Sequence, residues 1–437
     1  MDFLANDIKN LMTKGNLLAE LNHYDEAASY YLRILELDPS NQAVLMNFGN
    51  TLIKLKKYPE AIICYDSLLK TDMKNSFAWQ QKGYILFQMN RIEEAISCLD
   101  FSIQNDSHNS YALFLLATTF LQLEKFDETI QCCDKVLAFE PKNSLILTIK
   151  GEALLSLKKY QDSLFCFDYS LVIYPDNVPA LIGKGNVLRN LGKYSESLNI
   201  LEKAQEKDST QDKLWFAKGL TLDYLNQHDA ALTCWENLLN SNPDTASFWM
   251  LKAISLHKLK RFDDALTCID KALNLDKTFT VAWYRKGLIL EHLTRYNEAI
   301  ICYNKCLIKE DADFYFKTLW RIGFALDKLG RKDEAYSCFN DVEIACSGYP
   351  TSYEPSNEPV HEVANNLSVE IEENPDYSNN YSPEQDDESY EEYCEELDEE
   401  YNDECQDEYE MENLGDYDLI KYYRTCDYSE DDYEMNY

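Results

Sequence analysis

Large apolar residues mark the first 350 positions of the chain on a fixed beat. One series runs Leu11, Leu45, Trp79, Leu113, Leu147, Leu181, Trp215, Trp249, Trp283 and Leu319. Four residues after each member stands a small one: Gly15, Gly49, Gly83, Ala117, Gly151, Gly185, Gly219, Ala253, Gly287 and Gly323. Three further on comes Leu18, Leu52, Leu86, Phe120 and their successors, and every step is 34 residues except the last, which is 36. Offsets of three, four and seven fall on one face of a helix. A second small series begins twelve residues later, at Ala27, Ala61 and Ala95. Polar breaks such as "KLKKYPE" and "KLKRFDD" separate the two stripes. The pattern predicts two amphipathic helices per unit, A and B, with the small residues letting their backbones approach closely. Pro39, Pro141, Pro175 and Pro243 stand just before the next helix A, where they cannot prolong helix B. One such hairpin cannot bury both faces, but a stack can. The expectation is an all-α solenoid over residues 1–347, with Phe3, Leu4, Ile8 and Leu11 extending the first helix.

The residues W-x-x-K-G-x-x-L…A-x-x-x-Y…P, as in "WYRKGLILEHLTRYNEAIICY", resemble the tetratricopeptide repeat. The resemblance covers ten consecutive units from about residue 8 to 347. It implies a right-handed superhelical solenoid of antiparallel helix hairpins, a generic binding platform whose ligand lies in a concave groove lined by helix A. With Ile8 as position 1, the resemblance places positions 5 and 9 on that groove. Asn16, Asn50 and Asn186 occupy position 9, where the family often uses asparagine to hold a peptide backbone. Repeats 7 to 10 put apolar pairs at positions 5 and 9: Phe216 with Leu220, Met250 with Ile254, Tyr284 with Leu288, and Trp320 with Phe324. Left open, these would form a greasy strip of the kind that binds a partner. Packed against the next helix A, they would be core. The family's chaperone-type carboxylate clamp is not expected in repeats 1 to 3, because Met12, Phe77 and Gln81 stand where its cations belong.

Two further series raise questions of chemistry. Position 23 is cysteine in eight repeats, from Cys64 to Cys338, with Tyr30 and Ile200 in the other two. Tyrosine and isoleucine neither ligate metal nor form disulfides, so a small buried hydrophobe on the helix B stripe is the expectation. Neighbouring hairpins lie ~10 Å apart, too far for a disulfide ladder, which needs Cα atoms within ~7 Å. Neither C-x-x-C nor paired histidines accompany the series, so no metal site is expected. Position 7 is lysine in seven repeats, Lys14, Lys82, Lys150, Lys184, Lys218, Lys252 and Lys286, where the family more often has an apolar residue. These stems are expected to lie on neighbouring surface with the ammonium in water. The alternative is a ladder of positive charge that meets an acidic ligand.

Charge divides the chain. The formal net charge is -36, of which -29 falls in residues 351–437, where Lys421 and Arg424 are the only basic residues. A near-balanced body without a basic patch argues against nucleic acid as the partner. No secretory signal and no run of 18 apolar residues is visible, so neither export nor a membrane span is expected. Fourteen cysteines without a disulfide framework suit a reducing, cytoplasmic setting. The stretch "EQDDESYEEYCEELDEEYNDECQDEYE" is expected to be disordered and solubilising, since it buries little and repels itself. A linker and capping helix are expected over 348–373, with Val360, Val363, Leu367 and Ile371 on one face, and the acidic tyrosine-rich tail over 374–437. No phosphate loop or nucleophile–base constellation stands out, and no cofactor is implied. The expected function is a non-enzymatic scaffold that binds a peptide or helix of an unidentified protein. The alternative is a regulatory or chaperone-like subunit whose tail binds a basic partner or masks the groove. Oligomeric state and partner identity are not legible in one sequence.

Overall fold

The architecture was taken from a computed structural model, which describes residues 2–307 and 312–346. The linker, the proposed capping helix and the tail lie outside the described residues. Every described element is α-helical. The residues up to Lys193 form one compact unit and those from Tyr194 a second. Unit one holds α1 (Asp2–Glu20), α2 (Tyr24–Leu37), α3 (Gln42–Lys54), α4 (Tyr58–Thr71), α5 (Ser76–Gln88), α6 (Ile92–Asn105), α7 (Ser110–Gln122), α8 (Phe126–Phe139), α9 (Ser144–Ser156), α10 (Tyr160–Ile173) and α11 (Val178–Asn190). Unit two holds α12 (Tyr194–Lys207), α13 (Asp212–Tyr224), α14 (His228–Ser241), α15 (Ala246–Lys258), α16 (Phe262–Leu275), α17 (Thr280–His292), α18 (Tyr296–Cys306), α19 (Ala312–Lys328) and α20 (Lys332–Cys346). Odd-numbered helices are the A arms and even-numbered helices the B arms. Helix α1 begins at Asp2, so the first A helix is extended as the apolar residues at 3, 4, 8 and 11 foreshadow.

Each hairpin turns through the same backbone device. One residue per turn takes a positive φ, from Asn22 and Lys56 to Thr294 and Gly330. The next residue's N–H then reaches back to the carbonyl five positions earlier, as Lys57 does to Leu52 and Arg261 to Leu256. This is the left-handed helix stop that satisfies the orphan carbonyls of a helix end.

The small residues at position 8 act differently from the sequence expectation. They receive a side chain from helix B of the same hairpin rather than its backbone. A Cβ on Gly49 would stand 2.7 Å from the Tyr65 ring, and one on Gly219 would stand 2.6 Å from that of Trp235. Both rings are fully buried. Where the small residue is alanine, Ala117 or Ala253, the matching position 24 carries Cys133 or Ile269 instead of a ring. At these hairpins size at one position is offset by size at the other, which keeps the interior close-packed, whereas Gly83 faces Leu99 rather than a ring.

Candidate binding surface

The position-9 asparagines share a geometry in unit one. Tyr31 Oη donates to Asn16 Oδ1 at 2.8 Å, and Tyr65 Oη donates to Asn50 Oδ1 at 2.6 Å. Asn47 Nδ2 adds a second donor to Asn16 Oδ1, from the following repeat, at 3.0 Å. Asn186 Oδ1 is held by Arg189 Nη1 at 2.9 Å. All three asparagines are half-buried. Each carboxamide is therefore fixed through its oxygen, while its amino group keeps donor capacity. The sequence carried a signal for this arrangement: tyrosine stands fifteen residues after Asn16 and Asn50, and Leu201 stands there after Asn186. Around the first two asparagines, Met12 is half-buried and Met46 exposed.

The apolar pairs of repeats 7 to 10 do not form an open strip. Phe216, Leu220, Met250, Ile254, Tyr284, Leu288 and Trp320 are all buried, and Phe324 is half-buried. Phe216 meets Trp235 edge-on with ring centroids 6.1 Å apart. Tyr284 packs between Tyr303 and Phe314, at 5.6 and 5.2 Å. Trp320 stacks on Phe324 and tilts against Phe339. The physical reason is that side chains of this size at positions 5 and 9 reach helix B of their own hairpin and helix A of the next. They are inter-hairpin core.

Six of the seven lysines of the ladder are likewise engaged. Lys82, Lys150 and Lys184 each contact an aspartate sixteen residues earlier, Asp66, Asp134 and Asp168, at 2.6 Å. Lys252 and Lys286 repeat the pairing with Glu236 at 2.9 Å and Asp270 at 2.8 Å. Lys218 donates instead to Gln205 at 2.6 Å. Each bridge joins helix B of one repeat to helix A of the next. Such half-exposed pairs contribute little stability, but they fix register. The pairing signal, an acid sixteen residues earlier, was present in the sequence for these five paired lysines.

The position-23 cysteines are all buried. Burial raises the thiols of Cys64, Cys98, Cys132 and Cys302 to about 11 and those of Cys234 and Cys338 to about 12. A thiol held protonated is a poor nucleophile and a poor ligand. Among the described residues, no group of three or more His, Cys, Asp or Glu side chains converges as a metal site.

Unit two contains a buried polar cluster that the repeat pattern did not announce. Asp223, on α13, accepts from Ser255 Oγ at 2.8 Å and faces His228 Nδ1 at 2.8 Å. Trp235 Nε1 donates to Ser255 Oγ at 2.9 Å. Desolvation raises the Asp223 pKa, and the hydrogen bonds from His228 and Ser255 oppose that rise. Serine, aspartate and histidine are all present, yet the order is wrong for a nucleophile. The carboxylate stands between Ser255 and His228, so the imidazole does not face the hydroxyl as it does in a serine–histidine–aspartate triad. Ser255 is also fully buried. The cluster ties α13, α14 and α15 together. A second buried contact joins Arg321 to Glu291 at 3.4 Å.

Stacked helix hairpins of constant length define a repeat solenoid, the class of protein that offers a long surface for other proteins. Models of the tetratricopeptide repeat match residues 18–82, 216–278 and 281–307. The model of anaphase-promoting complex, cyclosome, subunit 3 matches residues 88–170. The chain belongs to the tetratricopeptide repeat proteins, and its fold is that of a protein-interaction scaffold. No curated protein matches it. Among solved structures, it is similar to a tetratricopeptide repeat protein from Parabacteroides merdae, with 17% identity over 57% of this chain and 99% of that one and a TM-score of 0.48. It is also similar to MamA (18%, 38% and 97%, TM-score 0.35). A third is YrrB, described as a TPR protein with an unusual peptide-binding site (16%, 50% and 95%, TM-score 0.29). Among the described residues, no helix is long and apolar enough to cross a membrane.

Proposed function

We infer that the chain is a non-enzymatic scaffold that binds an extended peptide of a partner protein along the helix A face of unit one, with Asn16 and Asn50 as its backbone-reading residues. The observation that carries this reading is the pinning of both carboxamides at Oδ1 by Tyr31 and Tyr65. A side-chain amide whose orientation is already fixed loses less entropy when it meets a peptide carbonyl. Met12 and Met46 beside them supply adaptable apolar contact. Asn186, held by Arg189, is a third such group in the same unit. The buried apolar pairs of unit two support the stack instead.

A random-peptide display library panned against the full chain tests this reading. Enriched peptides should lose about tenfold in affinity to an Asn16→Ala/Asn50→Ala variant, as expected when two buried hydrogen bonds are lost. Tyr65→Phe should lose less, because it frees the amide without removing it. Peptides that bind the double variant as tightly as the parent would refute the assignment.

A further inference from the structure

We propose that a cationic cleft built around Trp283 in unit two binds the chain's own acidic segment, residues 384–410. The cleft has a volume of about 750 Å³. Trp283 organises three lysines at its mouth. Its indole Nε1 donates to the backbone carbonyl of Lys277 at 3.0 Å. Lys305 Nζ sits 3.9 Å from the ring centroid and Lys286 Nζ 5.6 Å from it. An ammonium held over an indole is positioned without being neutralised, so its remaining N–H groups still seek an anion. Lys286 is paired with Asp270. Among the described residues, no carboxylate pairs with Lys277 or Lys305, and both are exposed.

The neighbouring repeats show how particular this gathering is. Trp249 holds Lys271 at 4.1 Å and Lys252 at 6.0 Å, but its indole bonds the carbonyl of Pro243, where Trp283 has a lysine. Trp215 bonds the carbonyl of Ser209. Residues 277–309 carry six basic side chains and two acidic ones within a chain of net charge -36. Both of those acids are engaged, Glu298 by Arg295 and Glu291 by Arg321.

A single exposed lysine–carboxylate pair holds little. The occupant must therefore bring many carboxylates and arrive already tethered. Residues 384–410 bring sixteen carboxylates and no basic residue. They also bring Tyr390, Tyr393, Tyr401 and Tyr409 to lie on Leu273 and the open edge of Trp283. The segment starts 38 residues beyond Cys346, a tether that spans up to ~130 Å when extended. Tethering places the segment at an effective concentration in the ~mM range. This site is separate from the asparagine face of unit one and stands or falls independently of it.

Zero-length carbodiimide coupling of the full chain tests the proposal, because it joins an ammonium to a carboxylate only when the two touch. At low salt, monomeric product should carry links from Lys277 and Lys305 to acids within 384–410. Lys277→Glu/Lys305→Glu should reduce the yield of links from the neighbouring Lys286 to the segment at least about threefold, and ~1 M salt should reduce the links from all three lysines by screening. Links spread equally over exposed lysines elsewhere, such as Lys125 and Lys159, would overturn the proposal. So would links found only in covalent dimers, which mean docking on a second copy. Should the double variant fail to fold, deletion of 384–410 provides the second measurement. It should speed acetylation of Lys277 and Lys305 but not of Lys159, and unchanged rates would overturn the assignment.

Discussion

The two units are made of one hairpin, yet they close it differently. In unit one, every A helix after the first starts on an asparagine: Asn41, Asn75, Asn109, Asn143 and Asn177. Each carboxamide oxygen accepts the N–H three residues on, as Asn143 does from Ile146 at 3.1 Å. In unit two, Gln211, Thr245 and Phe279 hold that place, and none makes the side-chain cap. Unit two has its buried ionisable side chains in contact instead: Asp223 with His228, and Glu291 with Arg321. It also holds five of the six tryptophans. Unit one thus starts its A helices on local caps, while leaving half-buried amides on its helix A face. Unit two joins its repeats through aromatic core and buried ionisable side chains, and turns its cations outward around Trp283.

The sharpest way to break this comparison is Asp223→Ala. Removing the carboxylate strands Ser255 Oγ and His228 in the core of unit two. Losing one partner of a buried polar cluster costs about 3 kcal/mol. Tryptophan fluorescence during urea unfolding reads mainly unit two and is the appropriate measurement. A loss below about 1 kcal/mol would show that the cluster is no more than a surface-grade contact.

Capping offers a smaller and reciprocal test. Asn143→Ala should cost about 1 kcal/mol in unit one, and Thr245→Asn should add about 0.5 kcal/mol in unit two. Far-ultraviolet circular dichroism follows both units, whereas tryptophan fluorescence follows chiefly the second. The two variants should therefore move different parts of the unfolding curve, in opposite directions. If Thr245→Asn brings no gain, the uncapped starts of unit two are not a deficit.

What the sequence revealed and what it hid follow from periodicity. Hairpin boundaries, the buried cysteines and the small residue at position 8 were legible, because each recurs ten or nearly ten times, but that a side chain rather than backbone fills the space beside position 8 was not. The lysine pairing was legible too, but only when lysine and acid were read together at an offset of sixteen. Positions 5 and 9 were placed on one helix face without a sign of what covers them. Burial of Met250 and Tyr284 depends on the neighbouring hairpin, and periodicity within one helix is silent on that. Asp223 occurs once. A residue outside the beat gives no repeat signal, and its partner Ser255 lies 32 positions away. Likewise, Trp283 looked like one more member of its series until Lys277, Lys286 and Lys305 were found around it.

The cysteine series is where the two units should not differ, and it gives the finest test. Cys64, Cys98 and Cys132 in unit one and Cys234, Cys302 and Cys338 in unit two all have thiols raised from about 9 to between about 11 and about 12. Desolvation is the main cause throughout. The sign follows from proton linkage. Above pH 9 the unfolded chain releases thiol protons that the folded chain keeps, so stability falls as pH rises from 9 toward 11. Below pH 9 both states hold the proton, and the thiols add no pH dependence. At pH 8 the thiolate population of the folded chain is roughly a hundredfold smaller than that of the unfolded one, and native alkylation should be slower by at least that factor. The rate should keep climbing about tenfold per pH unit past pH 9 instead of levelling there. Iodoacetamide labelling read peptide by peptide should return the same profile for Cys64 and Cys302. If the cysteines of one unit label about ten times faster than those of the other, that unit opens locally, and the difference between the two extends from their joints to their cores.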